Sequence, residues 1–124
     1  SDTPPKPISG LANAYAHRTL ALANGPREEE IVLQALRLGE VGITSIPCEV
    51  LCEIGLTLKA KSPLPQATFT IELANGHNGY LPTPRQHALG GYETWMGTSI
   101  LEILASEKIK KSLLKMLGKV ADSD

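Results

Sequence analysis

Apolar and polar residues recur along this chain with two different periods, and the switches between them predict the order of its elements. Ser9 is placed to cap a helix running to about Asn24, with Leu11, Tyr15 and Leu22 on one stripe and Gly25-Pro26 as its stop. The charged run Arg27-Glu-Glu-Glu30 reads as a solvated linker. From Ile31 to Ile46 the composition becomes β-like and is divided by Gly39-Glu40, where glycine supplies the positive φ of a hairpin turn. The second arm, Val41-Gly-Ile-Thr-Ser-Ile46, stops at Pro47, which cannot donate to a central ladder. Val50, Leu51, Ile54 and Leu58 then fall at helical spacing. They predict a short helix over 49 to about 60, with Lys59 and Lys61 at its C-terminal end and Ser62-Pro-Leu-Pro65 breaking the chain.

Thr68-Phe-Thr-Ile-Glu-Leu73 returns to period two and places Phe69, Ile71 and Leu73 on one face and Thr68, Thr70 and Glu72 on the other. Strand, helix, strand within so short a span reads as a βαβ unit with a right-handed crossover. Both strands then run the same way, so Pro47-Cys-Glu49 and the loop Asn75-Gly-His-Asn-Gly79 emerge at one carboxyl edge of the sheet, where open α/β sheets place their ligands. Residues 80–97 are turn-rich and read as an irregular binding loop carrying Tyr80, His87, Tyr92 and Trp95. Ser99 with Glu102 has the spacing of a capping box. It is followed by an amphipathic helix from Ile100 to Val120 whose opposite face bears five lysines. The expected fold class is therefore α/β, with α+β as the variant: a hairpin, then a βαβ unit, flanking helices and a C-terminal amphipathic helix. Residues 1–8, rich in proline, are expected to form an extended lead-in, and residues 9–124 a single α/β domain.

Composition narrows the class of function. The 124 residues carry a formal net charge of -1, which removes the basic footprint of a nucleic-acid binder, and no stretch approaches the roughly 18 apolar residues of a membrane span. Cys48 and Cys52, four apart in a predicted helix, read as two small buried hydrophobes. The first residues lack the basic and apolar regions of an export signal, so the sequence assigns no compartment. The chain begins at Ser1 without methionine, which raises the expectation of processing or of excision from a longer protein.

Glu49, between a strand end and a helix start, is either a dipole-favoured helix residue or a metal ligand or acid/base group. The loop ending at Tyr80 is either turn chemistry or a binding loop, and Tyr80 itself either a packing residue or a ligand. His77 and His87 lack the spacing of a self-contained zinc site, and no nucleophile elbow, phosphate-binding loop or Cys–His pair is present. On the residues alone, an incomplete half-site and a non-catalytic α/β binding or assembly module both stand.

Several separated motifs carry a resemblance. The runs Leu33-Gln-Ala-Leu-Arg-Leu-Gly-Glu-Val-Gly-Ile-Thr-Ser-Ile-Pro-Cys-Glu49, Ile71-Glu-Leu-Ala-Asn-Gly-His-Asn-Gly-Tyr-Leu-Pro-Thr83 and Gly90-Gly-Tyr-Glu93 are similar, in that order, to the C-terminal part of the catalytic domain of neutral, non-lysosomal ceramidases. The likeness is closest to their bacterial ceramidase-like branch of undetermined substrate. It implies an amide hydrolase with one zinc held by two histidines, a glutamate and a tyrosine. Carried over, the glutamate falls on Glu49, the tyrosine ligand on Tyr80 and a substrate-facing tyrosine on Tyr92. The two zinc histidines of the family lie upstream of the matching region, and His17, His77 and His87 do not match them. The resemblance thus implies a partner region upstream, an N-acyl amide or lipid-like substrate, and no activity for this chain alone. The segment between Glu49 and Tyr80 is shorter than in the ceramidases proper, and Cys48 replaces their usual glycine.

Overall fold

One strand, β2 (Val41–Ile46), belongs both to a hairpin and to a crossover unit, and the fold grows from that double use. The computed structural model describes residues 9–64 and 66–123, so the proline-rich lead-in and Pro65 lie outside the described residues. Helix α1 (Gly10–Ala23) is capped by Ser9, whose hydroxyl accepts from the Ala12 amide. In the hairpin, β1 (Gln34–Leu38) pairs antiparallel with β2 around Gly39 at φ 61°. In the crossover, the two-residue β3 (Glu49–Val50) leads into α2 (Cys52–Lys61), which carries the chain to β4 (Ala67–Glu72). β4 lies parallel to β2, from Val41 opposite Ala67 to Ile46 opposite Glu72. A second small sheet pairs β3 in parallel with β5 (Tyr80–Leu81). The chain closes with α3 (Pro84–Leu89), a single 3₁₀ turn at Tyr92–Thr94, and α4 (Ala105–Ala121). This is the expected α/β class, with hairpin, βαβ unit and C-terminal helix in the expected order.

The core lies on one side of the three-stranded sheet, where Ile46, Ile54, Leu58, Leu81, Ile109 and Leu113 are buried together. Gly42 sets how closely α4 approaches: a Cβ there would come within 2.8 Å of Thr68 Oγ1 and 3.2 Å of both Leu117 and Leu64 side chains. At the far end Arg37 of β1 donates to the Ala121 and Ser123 carbonyls at 2.8 and 3.0 Å, satisfying acceptors that a helix C-terminus leaves open. Among the described residues no helix is long and apolar enough to cross a membrane.

The face of β4 that turns inward is its threonine face. Thr68 is 2% exposed, whereas Phe69 and Ile71 are 49% and 45% exposed. Register explains this. Thr68 and Thr70 stand opposite Gly42 and Thr44 on the α4 side, where little room is left, and Phe69 continues the outer row Leu36, Ile43. The inward threonines are not left unsatisfied: Thr44 and Thr70 share a hydrogen bond of 2.8 Å, and Thr68 bonds with Ser62 Oγ at 2.7 Å and the Leu64 carbonyl at 3.0 Å.

Three expectations are corrected. Cys48 is fully buried but precedes the helix, and Cys52, its first residue, is exposed. Residues 80–97 are not irregular throughout: Thr83 and Gln86 form a reciprocal capping box that starts α3 with Pro84 in its first turn. Ser99 does not cap the last helix. Its backbone bridges to Gly79 and Met96, its hydroxyl is buried without a partner, and Glu102 pairs with Lys108, so α4 begins only at Ala105.

Candidate functional site

The carboxyl ends of β2 and β4 stand side by side, Ile46 opposite Glu72, and the segments that leave them build the site. Residues 47–49 are gripped on both sides. Leu73 and Asn78 amides bond the Cys48 and Pro47 carbonyls at 3.0 and 2.7 Å, and the Glu49 amide bonds the Gly79 carbonyl at 3.0 Å. The Val50 amide donates to Glu72 Oε2 at 2.9 Å. The glycine-asparagine loop is thus a brace that delivers Tyr80 directly opposite Glu49 in the β3–β5 ladder. Its own geometry demands its residues: Asn75 sits at φ 66°, and Gly79 at φ 76°, where a Cβ would lie 2.7 Å from the Thr98 carbonyl. The Tyr80 amide bonds that same carbonyl at 3.0 Å.

Of the three residues singled out from the sequence, the structure brings all three to this edge. The Tyr92 ring meets the Tyr80 ring edge-on, with centroids 5.8 Å apart. Glu49 also has a neighbour that spacing did not single out, His77, whose Nε2 lies 3.7 Å from Oε1. Sequence reading missed Tyr15 as well. From α1 it joins the cluster edge-on to Trp95 (5.3 Å) and Tyr92 (6.4 Å), with the Arg18 guanidinium 5.0 Å above its ring. The only signal for it was a tyrosine among the leucines of the α1 stripe. His87 and His17 belong to other elements, α3 and α1.

The site is electrostatically loaded. The pull of the Glu49 carboxylate on the phenol proton, with burial second, pushes Tyr80 up to about 12. Yet no hydrogen bond of ordinary geometry reaches Glu49 Oε2, which is buried without a partner. Tyr15 is lowered, first by its hydrogen bond with Thr98 (2.9 Å between hydroxyl oxygens) and then by Tyr92. Tyr92 is raised, first by hydrogen bonding to Tyr15.

Among the described residues no three His, Cys, Asp or Glu side chains gather to hold a metal ion. Glu49 and Tyr80 are a two-oxygen donor pair. A cleft of about 830 Å³ lies elsewhere, between the 26–31 linker and the start of α4, and holds none of Glu49, Tyr80 or Tyr92. The strained loop, the orphaned carboxylate oxygen and the shifted phenols coincide at the sheet edge, which makes it the candidate site. Comparison of the chain with protein-family models, with curated proteins and with solved structures found no match in any of the three.

Proposed function

We propose that this chain is the C-terminal portion of a zinc-dependent amide hydrolase of neutral-ceramidase type, to which it contributes Glu49 and Tyr80 as metal ligands and Tyr92 as a substrate-facing hydroxyl. The observation that carries the reading is the in-register pairing of Glu49 with Tyr80, with the carboxylate Oε2 buried and unpartnered. A buried acceptor without a partner is costly, and a phenol raised by an adjacent carboxylate marks two oxygens competing for one positive charge. A divalent cation relieves both. The donor chemistry fits zinc, which accepts carboxylate and other oxygen ligands, and the two histidines completing the set belong to the upstream region.

When bound, zinc supplies Lewis-acid polarisation of a carbonyl and a water of lowered pKa. This chain's residues do the rest. Glu49, clamped through the Gly79 carbonyl, presents its carboxylate from a fixed backbone. Tyr80, opposite Glu49 in the ladder, would offer its phenol oxygen to the same metal. Tyr92, half-exposed beside Tyr80, would donate its hydroxyl to an amide oxygen that gains charge, the role of an oxyanion donor. The exposed apolar flank formed by Tyr92 and Trp95 suits an acyl-bearing substrate.

The test is hydrolysis of N-acyl amides by the 124-residue chain and by the chain extended through the upstream reading frame, with zinc added and with chelator. Activity is expected only in the longer protein, abolished by chelation and by Glu49→Gln, and lowered about 10²- to 10³-fold in kcat by Tyr92→Phe. Hydrolysis that survives Glu49→Gln in the longer protein overturns the reading. A reading frame that starts immediately before Ser1 replaces it with a non-catalytic α/β module.

A further inference from the structure

Helix α1 touches the rest of the molecule in an unusual way. None of its residues is buried, and Leu11 and Leu20 on it are about 60% exposed. Its specific contacts run through Tyr15 and Arg18. Tyr15 meets both Tyr92 and Trp95 edge-on, its hydroxyl bonds Thr98 at 2.9 Å, and Arg18 lies over its ring. The opposing backbone is shaped to receive it: Gly97 stands at φ 88°, and a Cβ there would come within 2.7 Å of the Arg18 Cβ. The residue Tyr15 bonds is itself part of the site's frame, since the Thr98 carbonyl holds the Tyr80 amide.

Packing alone does not account for this arrangement, because a leucine at the same position on the stripe would bury apolar area without needing a hydroxyl partner. The Tyr92 ring meets three aromatic neighbours edge-on, Tyr15, Trp95 and Tyr80, and Tyr15 also meets Trp95, so two of those neighbours brace each other. Tyr92 is half-exposed and sits on a single 3₁₀ turn, so its own backbone supplies little restraint.

We infer that Tyr15 is a positioning residue for Tyr92, holding that hydroxyl at the orientation the substrate amide meets, through its ring contacts and through a hydroxyl anchored on Thr98. The inference rests on the hydrolase reading for the identity of the reaction. It goes beyond that reading by adding α1 to the site. A side chain acting through another changes turnover without changing what the substrate touches. Removing its hydroxyl removes about one hydrogen bond from that anchorage on Thr98.

The experiment is a double-mutant cycle in the zinc-loaded, upstream-extended protein, with Tyr15→Phe, Tyr92→Phe and the pair, reading kcat and KM separately. Tyr15→Phe keeps the ring and is expected to lower kcat roughly three- to tenfold with KM unchanged within twofold. In the Tyr92→Phe background it is expected to do nothing further. Additive losses, a silent Tyr15→Phe, or a change in KM alone overturns the inference. The same cycle on the urea midpoint of the 124-residue chain needs no catalysis. Non-additive midpoints without any hydrolase activity would sink the hydrolase reading and leave the Tyr15–Tyr92 coupling standing. Hydrolysis with additive effects would do the reverse. Trp95, the one tryptophan of the sequence, reports folding throughout: Tyr15→Ala is expected to shift its emission, and Tyr15→Phe to leave it in place.

Discussion

Glu49 and Tyr80 stand opposite each other in a parallel ladder only two residues long, and the carboxylate holds the phenol proton to about pH 12. A raised folded-state pKa means that the folded chain keeps a proton the unfolded chain releases near pH 10. The stabilisation is therefore fully present below pH 10 and is lost as pH rises toward 12. Absorbance titration of the three tyrosines is expected to show one ionising below the ordinary range, from Tyr15, and the latest near 12. Glu49→Gln should bring the latest step down, and Tyr80→Phe should remove it. A latest step that survives Tyr80→Phe would assign it elsewhere.

The two cysteines should behave as different chemical species. Burial pushes the Cys48 thiol up to about 11, with the Glu29 charge a smaller cause, while Cys52 is open to solvent. At pH 8 an aromatic disulfide reagent is expected to titrate one thiol quickly, and none in Cys52→Ser until the protein is unfolded. Because the shift is upward, the Cys48 contribution to stability is lost between about pH 9 and 11. Cys48→Ala should remove that segment of the pH profile.

Two glycines should respond in opposite directions to the same change. Gly79→Ala places a Cβ at positive φ against the Thr98 carbonyl and is expected to destabilise by about 1–3 kcal/mol, loosening the Tyr80 end of the ladder. Gly118→Ala, inside α4 with open space where its Cβ would stand, is expected to stabilise by about 0.5–1 kcal/mol. Urea unfolding of the two variants checks both signs.

The faces of the sheet make unequal contributions. Phe69→Thr and Ile71→Thr are expected to change stability by less than about 0.5 kcal/mol, as surface replacements do. Ile46→Ala and Leu113→Ala, each fully buried, should cost about 2–5 kcal/mol. A large loss at Phe69 and a small one at Ile46 would mean that the sheet is covered on the other side.

Local chemistry determined the elements of this protein. Ser9 capping α1, Gly39 turning the hairpin, Pro47 ending β2 and the spacing through Leu58 act within a few residues of one another, so the class, the element order and the shared strand edge could be read from the chain. The Thr83-Pro-Arg-Gln86 capping box was equally local and was legible in principle. Only tertiary structure decided which face of β4 turns inward, because period two marks two faces and not which is covered. The choice was made by register with Gly42 and by the approach of α4. Ser99 shows the same limit, since its helix-capping pattern lost to backbone bridges with Gly79 and Met96. The candidate site divides along the same line. Glu49, Tyr80 and Tyr92 could be named from motifs, but their pairing, the orphaned carboxylate oxygen, His77 beside it and Tyr15 arriving from α1 depend on contacts between distant segments, which no local pattern encodes.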